Sequence, residues 1–134
     1  MTTPPLWPPA WVFPAVWAVL YPCMGVATWH VWRRRDDTAV VGPLALFGGH
    51  LLLDYTWLPV VHSAKDATTP AVMDVAVGVP AFAAGWAYGR VSPVAARWYA
   101  PYLVWTLFTT AIKIWRAALN ARPPLVAAHD RGMA

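Results

Sequence analysis

Charge is what this sequence has least of. Of 134 residues, 10 are Lys or Arg and 6 are Asp or Glu, so 12% are charged against 59% hydrophobic. An average soluble domain carries about 25% charged residues, and so large a deficit excludes an ordinary water-facing surface. The single cysteine, Cys23, excludes an intramolecular disulfide, and it is expected to act as a small buried hydrophobe. There is no internal repeat and no glycine loop of the phosphate-binding type. No signal peptide is expected, because Met1-Thr2-Thr3-Pro4-Pro5 lacks a positive n-region. The net charge of +4 does not imply nucleic acid, since the basic residues punctuate apolar stretches instead of forming a patch.

What is abundant is tryptophan, ten residues, and proline, fourteen. Apolar stretches edged by indoles and arginines are the pattern of an integral membrane protein. Residues 1–9, with Pro4, Pro5, Pro8 and Pro9 around Trp7, cannot form a regular helix and are expected as an interfacial lead-in. Four spans are predicted within a transmembrane domain over 10–120. The first runs over 10–32, with Pro22 as a kink, and the second over 40–61, ended or bent at Pro59. After a polar loop over 62–69, the third span covers 70–88 with Pro80 inside it. The fourth covers 94–119, entered through Ser92-Pro93 as an N-cap and first-turn proline. Each is long enough for a hydrocarbon core of about 30 Å. Residues 121–134 are expected as a polar tail. The fold class is therefore all-α, a four-helix membrane bundle.

The second span holds the chemistry. In Gly48-Gly49-His50-Leu51-Leu52-Leu53-Asp54-Tyr55-Thr56-Trp57, His50 and Asp54 are spaced i, i+4 and share one helix face. Ionisable groups inside a membrane helix mark a functional site by default. The pair admits three readings: a hydrogen-bonded link between helices, an acid/base dyad in which Asp54 orients the imidazole, or two ligands of a metal. The last lacks a third ligand at suitable spacing, and no metal is assigned. In the fourth span Trp105, Thr109 and Lys113 share a face. Lys113 either snorkels to the interface or faces Asp54 as a buried ammonium. Asp74 is expected near the N-terminus of the third span, where helix peptide groups favour a carboxylate. Trp11, Trp29 and Trp32 fit an interfacial belt.

Several segments carry a family resemblance. They are Pro8-Pro9-Ala10-Trp11, Val16-Trp17-Ala18-Val19-Leu20-Tyr21-Pro22-Cys23-Met24-Gly25, Leu46 through Pro59, Val91-Ser92-Pro93-Val94-Ala95-Ala96-Arg97, and Pro101-Tyr102-Leu103-Val104-Trp105. In this order they resemble the tryptophan-rich sensory protein/translocator protein family (TspO/MBR) over most of residues 8–120. The resemblance implies a membrane bundle, often dimeric, that binds porphyrins, sterols or synthetic aromatic molecules in an internal pocket. The family bundle has five helices, and the four spans here correspond to all but its first. A second copy is the expected cover for the face so left open. At His50, Asp54 and Lys113 the family typically has glutamine, asparagine and asparagine. Val61-His62 stands where an aromatic pair is typical, and Pro70 where a tryptophan is.

Two functions follow. The first is a sensor or transporter binding a hydrophobic ligand, tetrapyrrole-, isoprenoid- or polyketide-like. Trp57 and Trp105 would be its walls, and Tyr21, His62, Thr109 and Trp32 further ligand-binding residues. The second is a membrane-embedded isomerase, cyclase or hydrolase with His50, Asp54 and Lys113 as catalytic acid/base groups. The expected partners are a hydrophobic small molecule, the lipid bilayer and a second copy of the chain, with no nucleic acid and no cofactor. The expected location is a bacterial cytoplasmic membrane.

Overall fold

The computed structural model describes residues 3–121. Four helices follow in order: α1 Val12–Trp32, α2 Val41–Ala64, α3 Thr68–Val91 and α4 Pro93–Asn120. No strand occurs among the described residues. Helices α1, α2 and α3 are each long and apolar enough to cross a membrane. Helix α4, at 28 residues, is about 42 Å long, and it alone combines an internal lysine with two arginines, Arg97 and Arg116.

The predicted helices are all present, with shifted ends. Pro59 does not terminate α2, which continues to Ala64 and closes on Lys65 in the left-handed region at φ 53°. His62, expected in a loop, is therefore helical, and the α2–α3 connection shrinks to residues 65–67. The other inter-span signal holds as read. Ser92 adopts extended backbone, its hydroxyl accepts from the Ala95 N–H at 3.3 Å, and Pro93 opens α4. A one-residue link of this kind forces α3 and α4 to lie antiparallel in close contact. The tail beyond Ala121 lies outside the described residues.

Helix α3 is the centre of the bundle. Its buried face is made of small residues, including Ala71, Gly78, Ala81, Ala84, Gly85 and Ala87. Small side chains let neighbouring backbones approach, which is how membrane helices gain packing without a hydrophobic driving force. Tyr99 and Leu103 of α4 press onto Gly85, where an added Cβ would lie 2.8 Å from Leu103 Cδ1 and 2.9 Å from Tyr99 Cδ1. Helix α2 packs on the other side of α3, and α1 packs on α4. The order across the bundle is thus α2, α3, α4, α1, and α1 and α2 make little direct contact with each other.

The core is aromatic. Tyr88, Tyr99 and Tyr102 are fully buried. Ring contacts run from Phe47 to Tyr88 (5.6 Å), Tyr88 to Tyr99 (5.3 Å), Tyr99 to Tyr102 (5.5 Å) and Tyr102 to Trp17 (5.8 Å), joining all four helices. Thr28 donates to the Met24 carbonyl at 2.9 Å, so its oxygen is left to accept the Tyr88 hydroxyl, also at 2.9 Å. Cys23 is half-buried, not sealed in the core as expected.

Candidate functional site

His50 is the one buried residue of α2 and has no exposed surface. Its Nε2 lies 2.5 Å from the Tyr102 hydroxyl of α4 and 3.2 Å from Asp54 Oδ2. The single proton of the Tyr102 hydroxyl also has Asp54 Oδ2 within reach, at 3.4 Å. On the other side of the ring, Nδ1 is 3.3 Å from the Phe47 carbonyl, which can only accept, so a hydrogen bond there requires the proton on Nδ1. With that proton in place, two arrangements are open. In the neutral ring, Nε2 accepts from Tyr102. In the doubly protonated ring, Nε2–H donates to Asp54 and the Tyr102 hydroxyl turns to the same carboxylate. They differ by one proton. Asp54 is the member with solvent or lipid access, its side chain 19% exposed.

A second cluster forms one turn further along α2. Trp57 Nε1–H donates to Asp74 Oδ1 at 2.6 Å. Lys113 Nζ donates to both oxygens of Asp74, at 3.0 and 2.9 Å, and sits 4.5 Å from the Trp57 ring centroid. Thr110 adds a long contact to Asp74 Oδ2 at 3.5 Å. Lys113 thus does not snorkel, and its partner is Asp74 instead of the expected Asp54. Asp74 lies near the N-terminal end of α3 as expected, in its second turn. It lies beyond the reach of the helix N-terminus and is held by the ammonium and the indole. With Lys113 on Asp74, the polar neighbours of Asp54 are His50 and Tyr102.

The remaining sequence-predicted residues are spread over the molecule. Trp105 packs on Phe13 (5.8 Å) and Phe108 (5.7 Å), and its indole N–H has no acceptor among the described residues. Trp57 and Trp105 thus serve different helix contacts. Thr109 is buried and donates to the Thr106 carbonyl at 3.1 Å. Tyr21 is exposed on α1 and packs on Trp17 at 5.4 Å. His62 is exposed at the end of α2. Trp32 lies at the opposite end of the bundle, exposed, beneath Arg35 at 4.6 Å. The sequence reading missed Trp17 and Tyr102. Both stand in the family-like segments, and Trp17 is four residues before Tyr21, but only packing shows that they meet. Among the described residues no group of three or more His, Cys, Asp or Glu side chains is placed to hold a metal.

A helical bundle with three long apolar helices and two buried polar clusters at its centre defines a polytopic membrane protein with an intramembrane site. Residues 1–116 match the TspO/MBR family model, and the chain belongs to that family. It is similar to the translocator protein of Homo sapiens, 39% identical over 118 residues that cover 84% of this chain and 69% of the relative. The translocator protein of Sus scrofa is 36% identical over the same shares. The tryptophan-rich sensory protein of Cereibacter sphaeroides is 28% identical over 121 residues, covering 90% of this chain and 75% of the relative.

Proposed function

We propose that this protein binds a hydrophobic small molecule inside the membrane, as a sensor or transporter. The ligand sits between α1 and α2, over Trp17, Tyr21, Tyr102 and Asp54. One observation carries this reading. A fully buried His50–Tyr102 pair ends on a carboxylate, Asp54, whose side chain is 19% exposed. The aromatic wall suits a flat or polyene body, and Asp54 suits a hydrogen-bond donor or cation on its edge, as in a tetrapyrrole-, isoprenoid- or polyketide-like molecule. The names of the similar proteins, translocator and sensory protein, agree with such a role. The membrane we propose is a bacterial cytoplasmic membrane. A second copy of the chain covers α2, whose outward face carries Leu46, Leu52, Tyr55 and Leu58.

Quenching of tryptophan fluorescence by protoporphyrin IX tests this site. Affinity should fall in Trp17→Ala and in Asp54→Asn. Unchanged affinity in both would remove it as the binding site.

The one-proton difference between the two arrangements of the His50 network favours a second reading, acid/base catalysis on an apolar substrate. In that reading Tyr102 takes the place first given to Lys113, because it is the hydroxyl that bridges His50 and Asp54. Turnover of a candidate substrate that survives His50→Ala and Asp54→Ala would end it.

A further inference from the structure

We propose that the outer groove between α1 and α4 is a binding site for one anionic phospholipid, its headgroup held by Arg97 and an acyl chain laid along α4. The groove, about 710 Å³, is lined by Val16 and Leu20 of α1 and by Arg97, Ala100, Pro101, Val104, Trp105 and Phe108 of α4. It is separate from the site proposed between α1 and α2, and its walls are apolar apart from one guanidinium.

The position of that guanidinium selects the occupant. Arg97 is one turn inside the start of α4, at the end of the bundle where α1 and α3 finish. This end carries Arg33, Arg34, Arg35 and Arg90 against Asp36 and Asp37. Arg33, Arg35 and Arg90 lie over the exposed rings of Trp29, Trp32 and Trp86 at 4.7, 4.6 and 5.0 Å. Exposed indoles under arginines mark headgroup depth. Arg97 differs from these three. Among the described residues it has no ion pair, hydrogen bond or ring contact. An exposed guanidinium at the mouth of an apolar groove asks for a bidentate oxyanion, and phosphate offers one.

The length of the groove completes the match. From Arg97 to Phe108 the helix rises about 16 Å. One leaflet is half of a hydrocarbon core of about 30 Å. The groove therefore runs from the headgroup layer to the bilayer midplane, which is the reach of an acyl chain. A soluble anion would have no use for the apolar length, and a neutral lipid none for Arg97. The proposal also sets orientation, because anionic lipid attracts clustered arginines on the cytoplasmic leaflet.

Native mass spectrometry of the delipidated full-length protein in neutral detergent provides the test. Dioleoyl phosphatidylglycerol and dioleoyl phosphatidylcholine are titrated separately. The first lipid to bind should favour phosphatidylglycerol about five-fold, the worth of one arginine near a membrane surface. Arg97→Gln should abolish the preference. Val104→Trp, which fills the groove, should abolish binding of that lipid while the far-ultraviolet circular dichroism stays helical. The combined Arg33→Gln, Arg35→Gln, Arg90→Gln variant should keep the preference. Equal affinities for the two lipids would overturn the proposal. So would a preference that survives Arg97→Gln, or one lost in the triple variant alone. Displacement of the lipid by excess inorganic phosphate would overturn the acyl slot.

Discussion

His50 and Tyr102 are 52 residues apart in sequence, and the imidazole Nε2 of one meets the hydroxyl of the other at 2.5 Å. This contact ties α2 to α4, two helices that otherwise each pack on α3. Tyr102→Phe would keep the ring in its aromatic row and delete the bond to both His50 and Asp54. Leaving a buried polar atom without its partner costs about 1–3 kcal/mol. Thermal unfolding in detergent should show that loss. In a background of His50→Leu, where the partner is gone, the same change should cost less, and additive losses would mean that the hydroxyl and imidazole do not interact.

The Asp74–Lys113 pair makes a sharper contrast. Removing one partner of a buried ion pair strands a charge, at a cost of about 3–5 kcal/mol. Asp74→Asn and Lys113→Met should each destabilise by that order. The double substitution should recover much of the loss, because no buried charge remains. Equal destabilisation of the double and single variants would show that the pair is not what the cluster depends on. Trp57 fluorescence offers a second readout, since its indole N–H donates to Asp74.

At Gly85 the missing Cβ lets Leu103 and Tyr99 of α4 press onto α3. A methyl there would come within 2.8 Å of Leu103 and 2.9 Å of Tyr99. Gly85→Ala should destabilise by about 1–3 kcal/mol through overpacking, although alanine is the better helix former. Gly25→Ala is the control, because nothing lies within 4 Å of its added Cβ. A Gly85→Ala melting temperature equal to that of the control would contradict the packing.

Ser92 is the whole of the α3–α4 connection. Ser92→Ala removes the acceptor for the Ala95 N–H and should cost about 1 kcal/mol. Ser92→Asp should restore most of it, measured by the same unfolding assay.

Much of this protein is readable without coordinates. The charge deficit and the tryptophan content require a membrane, because water cannot solvate such a surface and lipid can. The number of helices follows from four apolar segments separated by turn and charge signals. The start of α4 follows from the capping chemistry of Ser92-Pro93. Proline was a weaker guide: Pro59 was expected to end or bend α2, and the helix runs through it to Ala64. The i, i+4 spacing of His50 and Asp54 is a local fact, and their shared face was therefore certain from sequence.

Partners across the bundle were not readable, because they depend on which helices are neighbours and how each is rotated. Lys113 had two carboxylates within the same apolar chain to choose from, and nothing in the spacing separates Asp54 from Asp74. The rotation of α4 decides, by placing Lys113 over Trp57 and Asp74 and leaving Tyr102, eleven residues earlier, to close on His50. Sequence determined that ionisable groups would be buried in a membrane helix. Only the tertiary structure sorted them into one ion pair that braces the bundle and one hydrogen-bonded network whose carboxylate is partly exposed.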